Sequence, residues 1–251
     1  MDQNVAGIWS TPKLAPMYPP FPIRYTDVTI LTTVYRTDPV AIQKHIDFPV
    51  ESYGDLVMIH NYYMPIVEGM GEVEETNVMV GVKVNSKGVE HFGGFSTNLL
   101  ISSEVGLTQG REIHGQPKKL GSTKIKTINN EIVAEVFRGT DLISRVVMPV
   151  STEAAQVSEL ENYFPFRENI NHKVIRNIDG TQGINQITSR ILSDVVVKEC
   201  WRGPSQLAIE INESAPFYLL PVLETIESFY WKADFALVPG TILHDYLKVG
   251  E

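Results

Sequence analysis

Two turn signals, Asn85-Ser86-Lys87-Gly88 and Asn129-Asn130, each stand between runs rich in Val, Ile and Thr that alternate with polar residues. Asn and Gly accept the positive φ that tight hairpins need, so each pair of flanking runs reads as two antiparallel strands. The first hairpin takes residues 76–84 and 89–102, and the second takes 122–128 and 131–137. Further strands are expected at 25–36, 55–64, 141–150, 172–178, 184–187, 194–201, 206–211 and 228–238. Helices are few and short. Thr37-Asp38-Pro39 is a capping side chain followed by a first-turn proline and starts one over 40–46. A second is expected over 151–161, capped by Ser151 or Thr152. This pattern predicts a mainly β (α+β) fold, an antiparallel sheet closing into a barrel or cone with a site in its mouth or interior. Prolines at 12, 16, 19, 20 and 22 mark residues 1–24 as an extended arm on the surface or toward a neighbouring subunit, leaving 25–251 as one domain.

The net charge of −9 and the lack of a basic stripe interleaved with aromatics argue against a nucleic-acid partner. No apolar run is long enough to span a membrane. The single cysteine, Cys200, excludes an internal disulfide and fits a reducing, cytoplasmic setting. Its strand position, away from any basic cluster, makes it inert. Gly93-Gly94 marks a bulge or a close backbone approach, since no helix start follows it.

The chemistry concentrates in Gly-Arg-Glu-Ile-His-Gly-Gln-Pro-Lys-Lys-Leu-Gly, residues 110–121. Lys118 and Lys119 follow Pro117 among small and apolar neighbours. Desolvation and a like charge next door both favour the neutral amine, which attacks carbonyls. If 112–118 is extended, Glu112, His114, Gln116 and Lys118 share one face, a nucleophile beside a proton carrier and groups that hold substrate or water. Lys119 then points the other way, to act through its charge or by anchoring the strand. His60, His91, His114 and Glu75 could ligate a metal, but no two histidines have a short zinc-motif spacing, so neither a metal nor another cofactor is expected.

The lysine run resembles the signature of the acetoacetate decarboxylase family, in which an Arg-Glu pair precedes Pro-Lys-Lys-Leu. Val34-Tyr35-Arg36-Thr37-Asp38, Trp201-Arg202-Gly203-Pro204 and Asp245-Tyr246-Leu247 agree in order along the chain. That family is itself the standard instance of a lysine activated by its surroundings. The resemblance implies a β-barrel or cone, a homo-oligomer, a small oxo-acid substrate and a Schiff-base lysine at Lys118, with Lys119 as its charged neighbour. It puts Arg111 and Glu112 on the family's Arg-Glu pair and Glu75 on a pocket acid. Two positions depart: the pocket arginine falls on Val28, and the second pocket glutamate on His60. An apolar residue in place of a carboxylate clamp suits a bulkier or less charged substrate, and His60 would titrate near neutrality. Three functions remain open. They are decarboxylation of a 3-oxo acid, a pyruvate-dependent aldolase-dehydratase using the same lysine, and a non-catalytic barrel holding an apolar ligand.

Overall fold

The computed structural model describes residues 10–150 and 153–248. Strand β1 (Ile23–Arg36) leads through helix α1 (Pro39–Gln43) to β2 (Val50–Val67). The Asp38 side chain caps α1 by accepting from the Val40 amide at 2.9 Å. Strands β3 (Gly71–Ser86) and β4 (Val89–Ile101) form the expected long hairpin, with Lys87 and Gly88 at φ +50° and +83° in the turn. Helix α2 (Glu104–Gln109) runs into a π-helical turn (Gly110–His114), and β5 (Lys118–Leu120) follows. Strands β6 (Ser122–Ile128), β7 (Glu131–Arg138) and β8 (Asp141–Pro149) make a meander, its first turn formed by Asn129 and Asn130 at φ +50° and +64°. The remaining strands are β9 (Glu153–Ala154), β10 (Glu168–Arg176), β11 (Gln182–Ile191), β12 (Ser193–Gly203), β13 (Gln206–Ile209), β14 (Glu224–Leu237) and β15 (Thr241–Asp245).

The large sheet has the order β15-β11-β10-β4-β3-β2-β1-β14-β12-β9, with β5 added beside β4, and the small sheet has the order β13-β8-β7-β6. The large sheet is not closed into a barrel, which corrects the sequence expectation. Its hydrogen-bonded path ends at β15 on one side and β9 on the other. The chain crosses between these flanks at Leu192, joining β11 to β12, and side chains from both strands line a cavity at that seam.

The large sheet is buried on both faces, so its strands carry apolar residues at successive positions. Val57, Ile59, Val78, Val80 and Val82 pack with Val136 and Ile143 of the small sheet. Their neighbours Met58 and Met79 face the other way, toward Phe229, Trp231 and Phe235. Glycine at the β4–β10 contact allows the strands to approach. A Cβ on Gly93 would lie 2.3 Å from the Glu168 carbonyl oxygen, the close approach expected of this pair.

Two further expectations are corrected. The segment 151–161 is not one helix: β9 is followed by a 3-10 turn, Val157–Asn162. The proposed caps Ser151 and Thr152 lie outside the described residues. Residues 112–118 are not extended throughout. Ser103 caps α2 by accepting from the Gly106 amide at 3.2 Å, and the helical path continues to His114 before Gly115, at φ +75°, ends it. Proline restricts only the residue before it, so Pro117 does not unwind the turn.

Candidate active site

Strand register assembles the site from residues far apart in sequence. Reading across the sheet, Lys118 lies beside Leu99, Leu99 beside Asn77, Asn77 opposite His60 and His60 opposite Thr32. In the adjacent row, Ile101 pairs with Glu75, Glu75 with Tyr62, Tyr62 with Ile30 and Ile30 with Trp231. Side chains alternate along each strand, so these rows share the face that carries Met58 and Met79. Lys118 reaches diagonally to Glu75, with Nζ–Oε2 at 2.9 Å and side chains 6% and 12% exposed.

The π turn holds Lys118 from the other side. Gly110 lies so close that a Cβ there would sit 2.6 Å from Lys118 Cδ and 2.8 Å from Gln116 Oε1. Gln116 is buried and donates to Asn169 Oδ1 at 3.3 Å. His114 is buried, with its carbonyl accepting from Thr188 Oγ1 at 2.5 Å. Burial, with the positive charges of Arg190, Lys118 and Lys173, pushes its imidazole down to about 2. Glu112 turns outward and accepts from the Tyr18 hydroxyl at 2.7 Å, while Phe21 packs on the His114 ring with centroids 5.3 Å apart. Residues of the proline-rich arm thus lie against the turn of their own chain. Arg111 braces β5 by donating to the Lys118 carbonyl at 3.2 Å. Lys119 is exposed on the opposite side of β5 and donates to the Ser214 carbonyl at 2.8 Å, an anchoring position.

His60 is fully buried, and desolvation pushes it down to about 3, so the expectation that it titrates near neutrality is corrected. The Thr32 hydroxyl receives the Trp231 indole N–H at 3.0 Å and lies 2.9 Å from His60 Nδ1. His60 Nε2, on the other side of the ring, has no hydrogen-bond partner among the described residues. Val28 is wholly buried in the apolar cluster with Met79, Trp231 and Phe235, and it does not line the cavity.

The cavity encloses about 690 Å³. His60, Tyr62, Asn77, Asn169 and Arg190 supply polar lining, and Met79, Phe166, Trp231 and Phe235 supply apolar lining. Lys118 and Glu75 stand just behind this wall: Tyr62 is the cross-strand partner of Glu75, and Asn169 is held by Gln116. The sequence reading missed Arg190, Thr32 and Trp231. For Arg190 the available signal was a lone cation inside a β-branched run, Ile187-Thr188-Ser189-Arg190-Ile191. No cluster of three or more His, Cys, Asp or Glu side chains suited to a metal occurs among the described residues. No described helix is long and apolar enough to cross a membrane.

Fold and site together describe a β-sheet protein that receives a small molecule beside a buried amine. The chain matches the acetoacetate decarboxylase (ADC) family over residues 9–247, and it belongs to that family. It is 30% identical over 250 residues to the acetoacetate decarboxylase of Streptomyces nogalater, covering 98% of each chain. A solved acetoacetate decarboxylase structure superposes with a TM-score of 0.90 at 29% identity, covering 99% of this chain and 100% of that one. The enduracididine biosynthesis enzyme MppR, solved with pyruvate, shares the fold with a TM-score of 0.77 at 16% identity, covering 95% of this chain and 98% of that one.

Proposed function

We propose that the protein is a carbon–carbon lyase in which Lys118 forms a Schiff base with a 3-oxo acid and drives its decarboxylation. The observation that carries this is the buried Lys118–Glu75 pair at 2.9 Å beside a cavity of small-molecule size. Membership in the acetoacetate decarboxylase family supports it. Glu75 takes a proton from the Lys118 ammonium, and the amine adds to the ketone carbon. Loss of water gives the iminium. The bond to the carboxylate then breaks, its electron pair flows to the iminium nitrogen, and CO2 leaves. Protonation of the enamine carbon and hydrolysis release the ketone and restore the amine. Glu75, ion-paired with the Lys118 amine, is the group we assign to carry that proton. Arg111 and Lys119 fix the strand that bears the nucleophile.

A pyruvate-dependent aldol-dehydration uses the same amine, and the cavity volume favours it to the extent that a second carbonyl reactant fits beside the first. The prolines before residue 25 support an N-terminal arm ahead of a single domain over 25–251, the family resemblance supports a homo-oligomer, and the single cysteine suits a cytoplasmic setting.

Borohydride trapping with acetoacetate, a longer 3-oxo acid and pyruvate, followed by peptide mapping, tests the reading. A reduced adduct on Lys118 that is absent from Lys118→Ala, together with CO2 release, is the expected result. An adduct with pyruvate and no CO2 from either 3-oxo acid transfers the reading to aldol chemistry. No adduct with any carbonyl leaves a cavity that binds without reacting.

A further inference from the structure

Arg190 is the cation left unused by this mechanism. It sits near the end of β11, opposite Asn169 in register, and Thr188 sits opposite Asn171. Directly opposed residues share a face, and on this face Asn169 holds Gln116 while Thr188 holds the His114 carbonyl. The guanidinium therefore belongs to the wall between the lysine run and the cavity, and it lines the cavity. Its Nε is buried without a hydrogen-bond partner, and it makes no ion pair among the described residues. Burial lowers its pKa, while the charge of Glu75 and the Tyr62 and Tyr25 hydroxyls act in the opposite direction.

Arg190 is half-buried with its Nε wholly out of solvent; a partly desolvated guanidinium without an anion is costly, and a planar fork of N–H donors suits a carboxylate. The β1 position that the family resemblance would give to such a cation holds Val28, buried in the apolar cluster. Two further polar atoms of the wall are uncommitted. His60 Nε2 and Asn77 Oδ1 are both buried without partners. The lining continues with apolar Met79, Phe166, Trp231 and Phe235, and with Arg167, Lys198 and Glu199, of which Lys198 and Glu199 are ion-paired to Asp27, Asp234 and Lys232 and Arg167 to Glu161; Phe166 stacks on the His60 ring at 5.5 Å between centroids. At about 690 Å³ the space is that of a drug-sized ligand rather than a four-carbon acid.

We infer that Arg190 binds the substrate carboxylate, and that the substrate is an oxo acid with a bulky apolar or aryl tail lying against Met79, Phe166 and Trp231. This deepens the oxo-acid reading of Lys118 and rests on it. The carboxylate is then held on β11, and the tail lies against Met79, Phe166 and Trp231.

The test uses ligands that cannot form a Schiff base. Binding of 3-phenylpropanoate, 3-phenylpropanamide and butanoate to the intact protein is measured by calorimetry. Wild type is expected to prefer the aromatic acid over both the amide of the same shape and the short acid. Arg190→Gln is expected to weaken the acid by about 10–100-fold and leave the amide unchanged, the range set by charge-assisted hydrogen bonds. Arg190→Lys keeps the charge but not the fork and should fall between them. Equal binding of acid and amide by wild type overturns the inference without needing any variant. So does an Arg190→Gln protein that binds the acid as wild type does, or that loses acid and amide alike. These readouts are independent of the amine. A failed borohydride adduct with normal 3-phenylpropanoate binding removes the Schiff-base reading alone, and a normal adduct with equal acid and amide binding removes this inference alone.

Discussion

Replacing Glu75 by glutamine keeps the shape of the side chain and removes its charge, leaving the Lys118 ammonium in a site where it is 6% exposed. At 2.9 Å the gross attraction of the pair is about 6 kcal/mol for an effective dielectric near 20. Much of that offsets the desolvation of both groups, so the net worth of the intact pair is smaller. Removing one partner is different, because the desolvation of the other is already incurred. Glu75→Gln is therefore expected to cost about 3–5 kcal/mol, and Lys118→Met a similar amount, since it strands the carboxylate. The double variant Lys118→Met/Glu75→Leu leaves no buried charge and should cost well below the sum of the singles. Urea unfolding at pH 7, with the m-value checked for constancy, measures all of these. Two results would refute the reasoning. Single losses under about 1 kcal/mol would mean that the pair behaves like an exposed ion pair. Additive losses would mean that the two side chains do not depend on each other.

Two other perturbations give distinct readouts. Folded His60 is held at about 3 against an ordinary 6.5, so between those values the unfolded chain binds a proton that the folded one does not. Its contribution is fully present above pH 6.5 and is lost as the pH falls, by about 1.4 kcal/mol per unit. His60→Gln should flatten the stability-versus-pH slope between pH 6 and 4 by about that amount in paired urea titrations; equal slopes would show that the imidazole titrates normally. Gly93→Ala and Gly94→Ala should differ although the residues are adjacent. The first puts a Cβ 2.3 Å from the Glu168 carbonyl oxygen, which is backbone, and the second meets mainly the flexible end of Met79, at 2.1 Å. Gly93→Ala is expected to lose about 1–3 kcal/mol and Gly94→Ala distinctly less, read from urea midpoints; the reverse order would contradict the β4–β10 packing.

Local chemistry explains what the sequence by itself determined. Asn129-Asn130 and Lys87-Gly88 accept the left-handed turn whatever surrounds them, and Asp38-Pro39 starts a helix by capping its first free amides, so strands and α1 are legible from neighbours in the chain. The run Pro117-Lys118-Lys119-Leu120 likewise points to the nucleophile and the family through contiguous residues. Helix α2, capped by Ser103, was not expected from the sequence, and its continuation into the turn that holds Lys118, ended by Gly115, is visible only in the structure. Tertiary structure decided the rest, because register is a relation between strands that are distant in sequence. Nothing near Glu75 states that it pairs with Tyr62 and meets Lys118, and nothing near Arg190 states that it shares a face with the lysine run. The neutrality of His60 follows from burial, a property of the packed sheet rather than of the residue. Whether the sheet closes is decided at its two edges, β15 and β9, which do not pair; an alternating pattern specifies the faces of each strand but not which edges meet.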